Sequence, residues 1–286
     1  MSRNRLLLCT DMDRTILPNG SQPEHPEARP CLRAFCRQPE VCLVYITGRH
    51  LALVEQAITD YALPHPDYAI TDVGSKIYQS TDRGWQEMAL WEAEIAADWQ
   101  GQSHAQLKQA LAPIRALTLQ EADKQNRFKL SYYLDLERDK DAIIAQMAAI
   151  LHERGVHASL IWSVDEPAQI GLLDVLPQNA TKLHGLRFLQ QHLGYAGQEV
   201  LFAGDSGNDL PVLGSEINAV LVANASDEVR VQAQRMAAHA GHEATLFTAD
   251  NNRFSLGGNY SAGVLQGVWH YHPEFRPCLS SLGCST

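Results

Sequence analysis

The chain lacks any run of about twenty apolar residues, the length that a membrane helix requires, so no membrane span is expected. Its apolar opening is also brief. Arg3 and Arg5 precede the run at 6–9, but that run ends at Asp11 and is too short for a secretory signal. Basic residues are the minority, 23 against 33 acidic, and the net charge of −10 argues against nucleic acid as the main partner. The six cysteines (Cys9, Cys31, Cys36, Cys42, Cys278, Cys284) show no CxxC spacing, and the 12 histidines show no HExxH. His152, His157, His239 and His242 are expected to be solvated or locally bonded. Cys9 and Cys42 fall in apolar runs, where a reduced thiol acts as a small hydrophobe. A cytoplasmic chain with reduced thiols is the expectation.

What is present is 286 residues with 45% apolar content, enough for one large domain or two smaller ones. Buried strands are read at 6–9, 41–48, 170–177, 200–209 and 219–225, with helical patterns at 51–61, 181–193 and 228–240 between them. Strands alternating with helices predict an α/β fold, a Rossmann-like parallel sheet covered on both faces. Between 49 and 170 the rhythm changes. Strand-like 68–78 and 128–136 and helix-like 85–99 and 141–155 suggest an inserted α+β cap domain at 80–168, leaving 1–79 and 169–286 as the core. The tail at 271–286 is expected to be irregular.

In open parallel sheets, ligands bind beyond the carboxyl ends of the strands. The first run delivers Asp11, Asp13 and Thr15 there, the second Thr47, Gly48 and Arg49, and a later one Gly204 through Asp209. Lys182 opens the helix after 170–177. Carboxylates two positions apart repel unless a cation lies between them or one is protonated. Several carboxylates with a hydroxyl, a glycine and a lysine suit magnesium and a phosphoryl group. Each residue also has a plainer reading. Lys182 could be solvated, Thr47 an N-cap and 205–209 a glycine-rich turn, but all of these together require four coincidences. An EF-hand reading of 11–22 fails, because Arg14-Thr15-Ile16 lacks the glycine and Gln22 stands in place of glutamate.

DMDRT (11–15), TGR (47–49), Lys182 and GDSGND (204–209) resemble, in order, the four motifs of the haloacid-dehalogenase-like phosphohydrolases. The long interval from Arg49 to Lys182 resembles the class with a large cap after the second motif. TDVGSKIY (71–78), LLDVLPQNATK (172–182), LVANA (221–225) and NYSAGVLQGVWHY (259–271) are most similar to the sucrose-phosphate phosphatases. The resemblance implies a magnesium-dependent phosphatase for sucrose 6-phosphate or a related disaccharide phosphate, acting through an aspartyl-phosphate. It implies Asp11 as nucleophile and Asp13 as general acid and base. Magnesium would be held by Asp11, the Asp13 main-chain carbonyl and Asp205, with Asp209 orienting them. Thr47, Gly48 and Lys182 would bind the phosphoryl group. Plant sucrose phosphatases carry Gln-Arg-Pro-His-Lys in the cap. Gln125-Asn126-Arg127-Phe128-Lys129 stands in the equivalent place, which points to Gln125, Asn126 and Lys129 as sugar contacts. The role of Arg49 is left open between substrate contact and a pair with an acid. Two alternatives share these motifs: a phosphotransferase of the phosphomannomutase kind, and a noncatalytic regulatory domain of sucrose-phosphate synthesis. Association with a sugar-phosphate synthase is a further expectation.

Overall fold

A computed structural model describes residues 5–165 and 168–285. Residues 1–4, 166, 167 and 286, among them Arg3 and the end of the tail, lie outside that description. The described strands are β1 (Leu6–Thr10), β2 (Val41–Ile46), β3 (Tyr68–Thr71), β4 (Lys76–Thr81), β5 (Gly84–Glu87), β6 (Thr118–Leu119), β7 (Leu130–Leu134), β8 (Ala158–Asp165), β9 (Ile170–Pro177), β10 (Val200–Gly204), β11 (Ala219–Leu221) and β12 (Leu246–Thr248). The described helices are α1 (Ala28–Phe35), α2 (Leu51–Asp60), α3 (Ala89–Ala96), α4 (His104–Leu111), α5 (Lys140–Glu153), α6 (Lys182–Leu193), α7 (Leu210–Leu213), α8 (Asp227–Ala240), α9 (Ser261–Tyr271) and α10 (Arg276–Ser281).

Eight strands form one sheet in the order β12-β11-β10-β1-β2-β3-β4-β5. Pairing is parallel from β12 to β3 and antiparallel from β3 to β5. Alternation along β1 explains its fully apolar sequence. Leu7 and Cys9 enter one apolar layer with Val44, Ile46, Ile70 and Phe202. Leu6 and Leu8 enter the opposite layer, with residues of α1 and α9. Each fully buried leucine contributes about 1.5–3 kcal/mol of transfer free energy. Among the described residues no helix is long and apolar enough to cross a membrane.

The second sheet is antiparallel, ordered β6-β7-β9-β8. Together the two sheets correct three sequence readings. The run at 170–177 is β9, paired with β7 and β8 rather than with the core strands. An apolar run reports burial but not which sheet provides it. The bounds drawn at 79/80 and 168/169 therefore cut through both sheets, because the large sheet keeps the chain to Glu87 and the small one to Pro177. Within 85–99 the first residues belong to β5, and the helix starts only at Ala89. The tail is also more ordered than expected: α10 forms within it, and Leu279 and Cys284 are fully buried in the α1–α9 layer. β8 escaped detection, although Leu160, Trp162 and Val164 alternate along it.

The reading of 68–78 as one strand becomes a tight hairpin. Asp72, Val73 and Gly74 turn it with φ of 53°, 61° and 97°. Left-handed backbone is strained for a β-branched residue such as Val73, and glycine alone accepts it freely. Gly74 also lacks room for a side chain, since a Cβ there would lie 3.0 Å from the Thr181 carbonyl carbon. This close approach sets the start of α6, and hence Lys182, against the turn. Trp91 of α3 donates to the Gly74 carbonyl at 3.0 Å and joins the inserted unit to the same point.

Candidate active site

Three parallel strands release their chains at one edge. In register Thr10 lies beside Tyr45 and Ala203, so the residues after β1, β2 and β10 emerge together. Asp11 is 5% exposed, Asp205 3%, Asp209 0% and Lys182 5%. The Lys182 ammonium donates to Asp11 Oδ1 at 2.7 Å, Asp209 Oδ1 at 2.7 Å and Asn208 Oδ1 at 3.0 Å. The structure thus brings Asp11, Asp205, Asp209 and Lys182 together, with Thr15 beside them. Thr15 Oγ1 lies 3.4 Å from Asp11 Oδ2 and 3.2 Å from Asp205 Oδ1.

The loop after β10 is built around Asp209. Its Oδ2 accepts the backbone N–H groups of Asp205 and Ser206 at 3.1 and 3.0 Å. Gly204 permits this, because a Cβ there would lie 2.6 Å from Asp209 Cγ. Thr47 is buried after β2, and its hydroxyl oxygen accepts the Arg49 N–H at 3.1 Å. Beside it, a Cβ on Gly48 would meet only Val73, at 4.0 Å, so packing does not require glycine there.

One buried lysine does not balance three buried carboxylates. Burial pushes the Asp11 carboxyl up to about 7. Lys182 opposes that rise, while the Asp209 and Asp205 charges add to it. Burial and the Asp209 charge push Asp205 up to about 6. Burial works against the Lys182 charge as well, yet Asp11 and Asp209 hold the ammonium above the ordinary lysine range. One oxygen from each of Asp11, Asp205 and Asp209 lies within 4.8 Å of the others. These hard anionic donors with a charge deficit fit a divalent cation of the magnesium kind.

Asp13 stands apart from that group. Its carboxylate receives Arg49 Nε at 2.8 Å and Arg49 Nη2 at 2.6 Å, and Asn19 Nδ2 at 2.8 Å. Burial alone would raise it, but Arg49, Asn19 and Lys182 together hold it below the usual carboxylate range. In this arrangement Arg49 is the partner of an acid.

The three cap residues serve different ends. The Gln125 amide is bonded within the inserted unit: Nε2 reaches the carbonyls of Gln120 (3.1 Å) and Ser131 (2.9 Å), and Oε1 accepts the Ser131 N–H at 2.8 Å. Asn126 Nδ2 crosses to Ser75 Oγ at 2.9 Å, joining the unit to the hairpin beside β3. Lys129 is 8% exposed, and its ammonium lies 3.9 Å from Asp174, too long for a hydrogen bond. Residues that sequence reasoning passed over include Asn19, which ties Asp13, and Asn224. Asn224 lies in the LVANA stretch and donates to the Arg14 carbonyl at 2.6 Å. Only its place in that stretch marked it.

Parallel sheet, cap and acidic edge define a haloacid-dehalogenase-like phosphohydrolase, a phosphoric monoester hydrolase. The chain belongs to the sucrose-6F-phosphate phosphohydrolase family, whose model matches residues 4–272. It is similar over 94% of its length to the sucrose-phosphatase of Synechocystis sp. PCC6803, a structure holding sucrose and phosphate. Identity is 27%, 98% of that chain is covered and the TM-score is 0.70. It is 50% identical over 279 residues to a Nitrosococcus oceani protein grouped with the HAD-like hydrolases, covering 98% of this chain and 75% of that protein. It is also 30% identical over 230 residues to a glucosylglycerol-phosphate synthase of Pseudomonas anguilliseptica, covering 80% of this chain but only 28% of the synthase. The protein is a sugar-phosphate phosphatase.

Proposed function

We propose that the protein hydrolyses sucrose 6-phosphate or a related disaccharide phosphate with magnesium, through an aspartyl-phosphate on Asp11. The observation that carries this reading is the Lys182 ammonium held at 2.7 Å from both Asp11 and Asp209 in a pocket of buried carboxylates. An Asp11 oxygen attacks phosphorus, the bond to the sugar oxygen breaks, and Asp13 supplies the proton that the departing alkoxide takes up. Water then attacks the phosphorus of the intermediate as the bond from phosphorus to the Asp11 oxygen breaks, Asp13 accepts the water's proton, and inorganic phosphate leaves with the Asp11 carboxylate restored. Asp13 as found beside Arg49 is in its basic form, so its acid role requires the Arg49 contact to loosen as substrate enters. Thr47, Gly48 and Lys182 bind the phosphoryl oxygens. Asp11, the Asp13 main-chain carbonyl and Asp205 would hold a magnesium ion, with Asp209 orienting the loop. Bound magnesium neutralises charge so that carboxylate and phosphoryl group can approach.

The disaccharide part of the proposal draws on the sucrose held by the Synechocystis relative. The cap residues divide accordingly. Gln125 and Asn126 shape the segment, and Lys129 offers its donors to sugar hydroxyls. The similarity to part of a synthase favours an association with a sugar-phosphate synthase. A panel of phosphorylated mono- and disaccharides, assayed for phosphate release with magnesium, tests the reading. Preference for a disaccharide phosphate supports it, and faster turnover of hexose monophosphates overturns the substrate assignment.

A further inference from the structure

Two cations reach the acidic edge, and they are held very differently. Lys182 is buried and donates to two carboxylates at hydrogen-bond distance. Arg14 meets a different carboxylate, that of Asp205. Its side chain is 46% exposed, and its Nε lies 3.5 Å from Asp205 Oδ2. A pair so exposed and so long contributes little to stability and is readily displaced. Its backbone, by contrast, is firmly fixed. Arg14 adopts φ 58°, a conformation unfavourable for a long side chain. The turn is clamped on both sides: the Arg14 N–H donates to Asn19 Oδ1 at 2.8 Å, and its carbonyl accepts Asn224 Nδ2 at 2.6 Å. Asn224 is itself 2% exposed, and its Oδ1 accepts the Tyr260 N–H at 2.8 Å. The guanidinium has a further resting contact, Nη2 to the Asn224 carbonyl at 3.5 Å. A rigid turn therefore presents a loosely held positive charge to the carboxylate that offers an oxygen to a metal.

We propose that Arg14 is a built-in counter-cation that competes with the divalent metal at Asp205 and so sets the metal concentration at which the enzyme fills. The proposal rests on the metal site described above and deepens it. In the metal-free protein the guanidinium offsets part of the Asp205 charge. When a divalent ion takes that place, like charges a few ångströms apart repel, and Arg14 gives way toward solvent and the Asn224 carbonyl. Lys182 is not suited to this part, because it is buried and donates at 2.7 Å to both Asp11 and Asp209. At such separations, with most of the field screened, the unfavourable term corresponds to roughly a fivefold to tenfold weakening of metal binding.

The test uses Arg14→Asn, which accepts left-handed backbone, and Arg14→Lys, which keeps the charge. Magnesium binding to each full-length protein is measured by calorimetry, without substrate, together with the unfolding temperature at zero and saturating magnesium. The expected result is that Arg14→Asn binds magnesium about fivefold or more tightly, while Arg14→Lys stays within about twofold of wild type. Saturating magnesium should also raise the unfolding temperature of Arg14→Asn by more than it raises that of wild type, a metal-dependent difference that a purely structural residue does not produce. Equal or weaker binding by Arg14→Asn, with wild type binding normally, overturns this inference and leaves the metal site standing. Absence of any magnesium binding by wild type overturns both.

Discussion

The carboxyl edge of the large sheet and the 125–129 segment of the inserted unit are both rich in polar side chains, yet they use them in opposite ways. At the edge, Asp11, Lys182, Asp205 and Asp209 converge on one another, and the backbone of 204–209 is bent to serve Asp209. In the segment, the Gln125 amide is bonded to the main chain of Gln120 and Ser131, and Asn126 is tied to Ser75. The first region stores uncompensated charge, whereas the second ties its amides to the main chain and to Ser75 and leaves the buried Lys129 ammonium 3.9 Å from the Asp174 carboxylate. On the proposed function, the chemistry common to phosphate monoesters is assigned to the strand ends and discrimination among sugars to the inserted unit.

The sharpest way to break this comparison is Asp11→Asn. An amide cannot form the acyl-phosphate, so phosphate release should fall by at least about a thousandfold, with the circular dichroism spectrum unchanged. Retention of a tenth of wild-type turnover would show that the edge does not work covalently.

A smaller effect separates metal ligand from phosphoryl partner within the edge. Asp205→Ala should raise the half-saturating magnesium concentration more than about tenfold. Lys182→Ala should lower turnover yet leave that concentration unchanged or reduced, since removing a cation deepens the negative field. Titrating activity against magnesium compares them, and an unmoved midpoint in Asp205→Ala removes that residue from the metal site.

On the inserted unit, Lys129→Ala should lower kcat/KM for the preferred sugar phosphate by roughly 1–3 kcal/mol, about 5- to 150-fold, and hardly alter hydrolysis of a small aryl phosphate. Equal losses on both substrates would return Lys129 to a role in folding or closure. The mildest outcome is expected for Gln125→Ala. Loss of its backbone contacts should cost about 1–3 kcal/mol and lower the unfolding temperature by a few degrees, with similar kinetic losses on both substrates. A substrate-selective loss in Gln125→Ala would mean that its amide leaves the main chain for the sugar.

The core was legible because its chemistry demands particular residue types directly after buried strands. LLLC followed by Asp11, and VLFAG followed by Asp205, announce both the strand and its edge. The inserted unit was harder to place. The 170–177 run has the apolar character of a core strand but pairs with β7 and β8, and 68–78 hides a turn with three consecutive positive φ angles. Gly74 is the local signal for that turn, while Asp72 and Val73 are ordinary elsewhere. They are held in it as the Asp72 N–H donates to the Arg49 carbonyl at 2.9 Å and Gly74 packs closely on Thr181.

By itself the sequence determined the alternation that buries β1 between two apolar layers, the order in which carboxylates, hydroxyl and lysine reach one edge, and the chemistry those groups can perform. Such properties are local: they follow from side-chain type and from the period of strand and helix. Only the tertiary structure decided that Asp13 rests on Arg49, that Gln125 bonds to the main chain, and that Arg14 stands beside Asp205. The Asp13–Arg49 and Arg14–Asp205 pairs join groups far apart in the chain, Gln125 closes a loop five and six residues long, and the geometry of all three exists only once the sheets and their turns are packed together.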